Sequence, residues 1–224
     1  MNIFPFHTIS SSIVLYEKEN GREIRIYKLL DCMASGIQLY YPNTLLYSNE
    51  QLILPILERT MSLKSSTIYE KMGMKFDCGI MDYNEVCETP VFFFIYNTDN
   101  YFHYLYDTLP YLISYFHLKK SVPELKLLMQ YPNDQRNHFY PFVLEFLELL
   151  QISREDIVLV DKSTLYKEVY ISTSYTHDID SNLPPRKEIY DFYRSISACV
   201  RLHYKLDTPP KIYVSRRTWL HGDF

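Results

Sequence analysis

An α/β fold with a doubly wound, largely parallel sheet is predicted by three features of this sequence. Strand-like and helix-like patterns alternate from Val91 to Tyr204, and the first segment alternates apolar and polar residues about Asn20-Gly21. The third is composition: of 224 residues, 47% are hydrophobic, 22% charged and 16% aromatic, enough for one large core or two small ones.

Taken in order, Ser12 to Tyr16 and Glu23 to Lys28 read as the arms of a β-hairpin. From Leu29 to Tyr47 short apolar pieces are broken by Gly36 and Pro42-Asn43, and no period emerges. Leu52, Ile53, Ile56, Leu57 and Met61 fit a helix from Gln51, with Pro55 bending it or lying in its first turn. Thr67 to Thr89 is a connecting region, and Val91 to Tyr96 is a buried strand followed by turn and N-cap chemistry at Asn97-Thr98-Asp99. The period then changes. Asn100, His103 and Asp107, spaced three and four apart, share a helix face, and Leu112 to Leu118 continue an apolar face up to Lys119-Lys120. Pro110 kinks this helix or marks where it restarts.

Leu125 to Met129 is a short strand, Phe139 to Leu150 an amphipathic helix, Asp156 to Val160 a strand and Val169 to Ser172 another. A loop from Thr173 to Pro185 leads into the helix Arg186 to Tyr204, whose first residues, Arg186 and Lys187, are expected to form a solvated turn. Asp207 to Pro210 is a linker, and Lys211 to Arg217 alternates as a strand. The middle of the chain is thus Rossmann-like in the broad sense, without G-x-G-x-x-G or G-x-x-x-x-G-K-[ST] to cradle phosphates.

Composition excludes some functions. Lys plus Arg number 23 against 27 Asp plus Glu, a net charge of -4 with no basic block, so nucleic acid is not an expected partner. Cys32, Cys78, Cys87 and Cys199 form no C-x-x-C pair and are expected as reduced thiols, although Cys78 and Cys87 are close enough in sequence to bridge. Met1 to His7 lacks a basic n-region and no run reaches membrane-spanning length, so a soluble cytoplasmic protein with no integral membrane segment is expected.

Four groups of residues bear chemistry. His103 and Asp107 at i, i+4 can act as a base and its orienter, the alternative being a helix-surface contact. Asn100 can bind a substrate hydroxyl or cap the helix. Asp178 and Asp180 form an Asp-x-Asp of the kind that holds a divalent cation in metal-dependent sugar transferases, though such spacing also arises in any polar loop. Arg216 and Arg217 follow a strand, where a planar fork fits diphosphate oxygens; a surface basic pair is the alternative.

The segment Asn100-Tyr101-Phe102-His103-Tyr104-Leu105 with Asp107 and Leu109-Pro110, followed by Lys211-Ile212-Tyr213-Val214-Ser215-Arg216-Arg217, resembles glycosyltransferase family 61. The resemblance runs from about Phe92 to Arg217. It implies a GT-B, inverting, metal-independent transferase moving a sugar from a nucleotide-sugar substrate to a hydroxyl of a glycan or glycoprotein, with no cofactor. By that resemblance His103 and Asp107 are catalytic, and Asn100, Arg216 and Arg217 contact substrate. It further implies a β-rich segment at 1–66, a Rossmann-like acceptor-side domain at 67–206, and a linker with the first strand of an incomplete donor domain at 207–224. Tyr111 departs from the family, many of whose members carry Arg after this proline, and the further Arg and Asn-Glu of the family's donor side do not occur by Phe224, so the chain is expected to be the acceptor-side part of a transferase that is an enzyme when full length, with the activity of this part by itself left open. Two alternatives from other classes are a non-catalytic carbohydrate-binding or scaffold module, and a metal-dependent GT-A transferase using Asp178 and Asp180.

Overall fold

The alternation of strand and helix patterns is realised, in a computed structural model, as mixed α/β architecture on one sheet. Described are residues 9–20, 22–35, 38–41, 44–48, 51–52, 83–96, 98–132, 137–176 and 184–205. Among the described residues the sheet has ten strands: β1 (Ile9–Glu19), β2 (Arg22–Ser35), β3 (Gln38–Tyr41), β4 (Thr44–Ser48), β5 (Gln51–Leu52), β6 (Glu85–Cys87), β7 (Val91–Phe93), β8 (Lys126–Met129), β9 (Ile157–Leu159) and β10 (Thr164–Ser172). They lie in the order β5-β4-β3-β2-β10-β7-β8-β9, with β1 beside β2 and β6 beside β10.

The sheet changes character at β10. On one edge β10 pairs antiparallel with β2, Leu165 with Met33 through Ser172 with Ile26. On its other edge it runs parallel to β6 and then β7, and β8 and β9 extend that parallel set. Parallel strands covered on both faces read as continuous apolar runs, and Val91, Phe92, Phe93, Leu127, Leu128 and Met129 are all buried. Glu88-Thr89-Pro90 separates β6 from β7; Pro90 has no N–H to offer a ladder.

Helix α1, residues 101–119, links β7 to β8 and is built from the turns Tyr101–His103, Tyr104–Thr108, Leu109–Tyr111 and Leu112–Lys119. Helix α2 (Pro141–Leu149) links β8 to β9; residues 160–163, which carry no helix, link β9 to β10. Helix α3 (Glu188–Tyr204) follows β10. Proline at N1 starts α2, its missing N–H being one the first turn leaves unpaired. At its other end Gln151 takes φ 60°, its N–H bonds Glu148 O at 2.9 Å and the Ile152 N–H bonds Leu147 O at 2.8 Å, a paired closure that brings Ile152 onto Leu147. The core unites Phe92, Phe93 and Leu128 of the sheet with Leu112 and Tyr115 of α1, Val143 of α2 and Ile196 of α3. Burying each such side chain stabilises by roughly 1.5–3 kcal/mol.

Several expectations are refined. The Asn20-Gly21 hairpin is present and longer than its periodic arms, because register shifts in β1 interrupt the alternation without ending the ladder. The unpatterned Leu29 to Tyr47 holds the end of β2, then β3 and β4, with Gly36 and Pro42-Asn43 between strands. Gln51 and Leu52, expected to begin a helix, are strand β5 paired to β4, where pairing overrides propensity; the rest of that expected helix lies outside the described residues. The region expected only to connect contains β6, three residues whose parallel pairing to β10 no local period signals. Cys87 is a free thiol; Cys78, its possible partner, lies outside the described residues.

Arg186, expected on a solvated turn, is buried instead. Its Nε and Nη2 donate to the Glu188 carboxylate at 2.8 and 2.7 Å, its Nη1 donates to Glu17 O and Arg22 O at 3.1 Å each, and the guanidinium lies over the Tyr16 ring. The fork can satisfy a carboxylate and two carbonyls at once, and this makes its burial tolerable. Arg22, 2% exposed, donates to the carbonyls of Ser174, Thr176 and Pro184 at 3.3, 3.2 and 3.2 Å. One side chain at the start of β2 therefore holds the chain after β10 and the approach to α3.

Candidate functional site

The site is built where β7 gives way to α1. Beyond Phe93 the strand geometry ends while burial persists through Phe94, Ile95 and Tyr96, and Phe94 N still donates to Leu128 O at 2.9 Å. Asn100 then adopts extended geometry, φ -122° and ψ 119°, and its Oδ1 accepts from the His103 N–H at 3.2 Å. Its carbonyl accepts from Tyr104 N at 2.8 Å. The capping alternative for Asn100 is therefore the geometry found: its side-chain oxygen holds the first turn.

That first turn places His103 and Asp107 together. Nδ1 of His103 lies 2.7 Å from Oδ2 of Asp107. The carboxylate is an acceptor, so Nδ1 carries the hydrogen, and it is in the neutral ring that Nε2 keeps its lone pair. The two side chains differ sharply in setting: Asp107 is 2% exposed and His103 is 50% exposed. A buried carboxylate thus orients a ring that solvent or a ligand can reach. It also compensates the positive charge the ring would gain on taking a proton.

The turn that buries Asp107 is wider than an α-helical one. Leu109 N–H bonds the carbonyl of Tyr104, five residues back, and the chain then tightens through the turn containing Pro110 before α-helix resumes at Leu112. Proline explains the disturbance, since it offers no N–H and its ring crowds the preceding turn. Of the two expectations for Pro110, a kink or a restart, the structure has the restart nearby: Pro110 lies in the tight turn from which α-helix resumes at Leu112.

Neighbouring elements fasten the turn. Tyr104, buried between Phe142 and Phe146 of α2, donates its hydroxyl to Val143 O at 3.4 Å. Tyr193 of α3 donates its hydroxyl to the Leu105 carbonyl. Burial, and then the Asp107 charge, push the Tyr193 phenol above its ordinary range. Tyr111, where the family resemblance breaks, is an interior residue: it stacks on Tyr96 at 4.1 Å and meets Tyr175 edge-on. Behind it Ser114 Oγ shares 2.8 Å hydrogen bonds with Ser172 Oγ and Tyr175 OH, joining α1 to the end of β10.

Local spacing did not single out the aromatic surroundings of His103. Phe102, Tyr101 and Tyr106 are exposed, Phe102 by 62%. Phe102 and Tyr106 stack at 5.7 Å with an interplanar angle of 13°, and Phe102 meets the His103 ring at 5.5 Å. The i, i+4 spacing of Phe102 and Tyr106 was a usable signal. Tyr193 left none, because it lies on a helix 90 residues away in sequence.

Of the predicted site residues, Asn100, His103 and Asp107 come together; Arg216 and Arg217 lie outside the described residues, as do Asp178 and Asp180. Among the described residues no group of three or more His, Cys, Asp or Glu is placed to hold a metal ion. No helix among them is long and apolar enough to cross a membrane. No protein-family model, curated protein or solved structure matches the chain.

Proposed function

We propose that this chain provides the acceptor side of an inverting, GT-B-type glycosyl transfer site, with His103 as the base. The observation that carries the reading is the His103–Asp107 contact: a ring half exposed, held at Nδ1 by a buried carboxylate 2.7 Å away, just past the carboxyl end of a parallel strand. Two further features support it. The parallel strands β9-β8-β7 lie in the third-second-first order of a βαβαβ unit, and ligands of such sheets gather beyond the strands' carboxyl ends. The exposed rings of Phe102 and Tyr106 offer flat apolar faces on which the C–H face of a sugar can lie.

In this reaction Nε2 of His103 takes the proton of an acceptor hydroxyl as its oxygen attacks the anomeric carbon of a nucleotide sugar. The bond from that carbon to the diphosphate oxygen breaks on the opposite face, so the configuration inverts and the nucleoside diphosphate departs with the electron pair. Asp107 stabilises the imidazolium formed. Arg216 and Arg217 are the residues proposed for the departing charge, with no metal or cofactor in the scheme. The acceptor is a glycan or glycoprotein.

The experiment is nucleoside diphosphate release from nucleotide sugars with a panel of glycan acceptors. His103→Ala should lower it about 10²- to 10⁴-fold while glycan binding persists. Equal release by the two proteins would refute the base. Glycan binding without release by the unsubstituted protein would instead favour the non-catalytic docking module, for which the exposed aromatic pair is the supporting observation. Release that requires manganese would favour the metal-dependent alternative at Asp178 and Asp180.

A further inference from the structure

Successive residues of an α-helical turn point about 100° apart round the axis. In the first turn of α1 this sets Tyr101 on one flank of Phe102 and His103 on the other. The contacts follow that order: Phe102 meets the His103 ring at 5.5 Å, whereas Tyr101 meets Phe142 of α2 edge-to-face at 5.3 Å. Tyr106, one turn on, stacks against Phe102, and Tyr140 stacks against Phe142 at 5.5 Å. Helices α1 and α2 follow the parallel neighbours β7 and β8, so both begin beyond the same edge of the sheet. The rings therefore form one strip, from His103 over Phe102 and Tyr106 to Tyr101 and on to the start of α2.

Tyr101 is 55% exposed although Phe142 holds its ring. Core packing does not account for it, because the tyrosine of this region that α2 encloses is Tyr104, between Phe142 and Phe146. A flat ring fixed by a neighbour while its surface stays in solvent costs a ligand little ordering entropy. Such rings take the C–H face of a pyranose. Phe102 and Tyr101 offer two such surfaces at adjacent positions, and of the two it is Phe102 that touches His103. The strip is continuous with the base, so its occupant is the remainder of the molecule whose hydroxyl reaches Nε2.

We propose, resting on the reading of His103 as the base, that Tyr101 is a second sugar subsite and that the acceptor is an oligosaccharide of at least two units. The sugar that gives up its proton lies on Phe102 and Tyr106, and the next unit lies on Tyr101, toward α2.

Titration of the protein with β-1,4-linked gluco-, xylo- and manno-oligosaccharides of one to three units, read by saturation-transfer NMR without nucleotide sugar, tests this. In at least one series affinity should rise about 5- to 10-fold from one unit to two. Tyr101→Ala should abolish that rise, whereas Phe102→Ala should weaken every length, the single sugar included. Tyr101→Leu keeps an apolar contact to Phe142 without the flat ring and should match Tyr101→Ala. A rise that survives in either Tyr101 variant overturns the proposal, and so does affinity independent of length in all three series. The outcome is separable from transfer. A length-dependent rise without release of nucleoside diphosphate would refute the base and leave the subsite standing, and release with length-independent affinity would do the reverse.

Discussion

Replacing Arg22 by methionine removes a cation from the join between β2 and the chain after β10 while keeping most of the side chain's volume. Arg22 donates to three carbonyls, those of Ser174, Thr176 and Pro184, at 3.2 to 3.3 Å. Hydrogen bonds from a charged donor are each worth roughly 1.5–3 kcal/mol, and each buried acceptor left bare costs about 1–3 kcal/mol. Against this, methionine escapes the desolvation of a guanidinium that is 2% exposed, a penalty of several kcal/mol. Of the three acceptors only the Pro184 carbonyl is part-buried; Ser174 and Thr176 are buried. The balance is a loss of about 3 kcal/mol. With a urea slope of about 2–3 kcal/mol/M for a chain of this size, the midpoint should fall by about 1–1.5 M. Arg22→Lys, whose point charge cannot span three acceptors, should fall between the two. Urea unfolding followed by far-ultraviolet circular dichroism measures the shift. A methionine variant within about 0.3 M of the parent would show that the three contacts contribute nothing net, and the account of Arg22 as a fastening would be wrong.

Acid should weaken the same region. At Glu188 burial pushes the carboxyl up, but the hydrogen bonds from Arg186 outweigh it and hold the group below the ordinary glutamate range; the Lys28 and Tyr170 hydrogen bonds outweigh burial likewise at Glu168. Groups whose pKa is depressed on folding add stability above their unfolded pKa and lose it as pH falls through the folded one, so urea midpoints should hold down to about pH 5 and decline below about 4. Glu188→Gln should flatten that decline, and a decline of equal steepness would contradict the assignment. Phe102→Ala and Tyr106→Ala each remove one face of the exposed stack, and should raise the acceptor KM about 5- to 30-fold at unchanged kcat, equivalent to about 1–2 kcal/mol; an unaltered KM in both would remove the stack from the site. Leu128→Ala opens a cavity in a strand buried on both faces and should cost about 2–5 kcal/mol in the same urea assay, with less than 1 kcal/mol arguing against close packing there.

His103, Asp107 and Asn100 were legible because helix geometry over a single turn decides which of them meet, and that geometry follows from spacing. The parallel strands β7 and β8 were legible for a related reason, since burial on both faces leaves an unbroken apolar run. Features set by distant partners were not legible. Arg186 reads as a helix-start cation until Glu17, Glu188 and the Tyr16 ring enclose it, and those residues come from both ends of the chain. Strand β6 exists because β10 offers it an edge. Pro110 announced a break in α1, yet the hydroxyl that bonds the Leu105 carbonyl beside it comes from a tyrosine on another helix.

Strand β2 has a temporal consequence. Its Leu29 pairs with Val169 on β10, 140 residues further along. At a synthesis rate of about 5–20 residues per second, the β1–β2 hairpin leaves the ribosome about 7 to 28 s before the strand that covers its other edge exists. During that interval Ile26, Leu29 and Met33 belong to a strand with one edge open, long enough for pairing with another nascent chain. Yield should therefore depend on expression rate and on chaperones that shield unpaired edges, even where the finished protein is stable. Slower synthesis lengthens that wait in every chain, whereas crowding of nascent chains shortens the time to a wrong encounter.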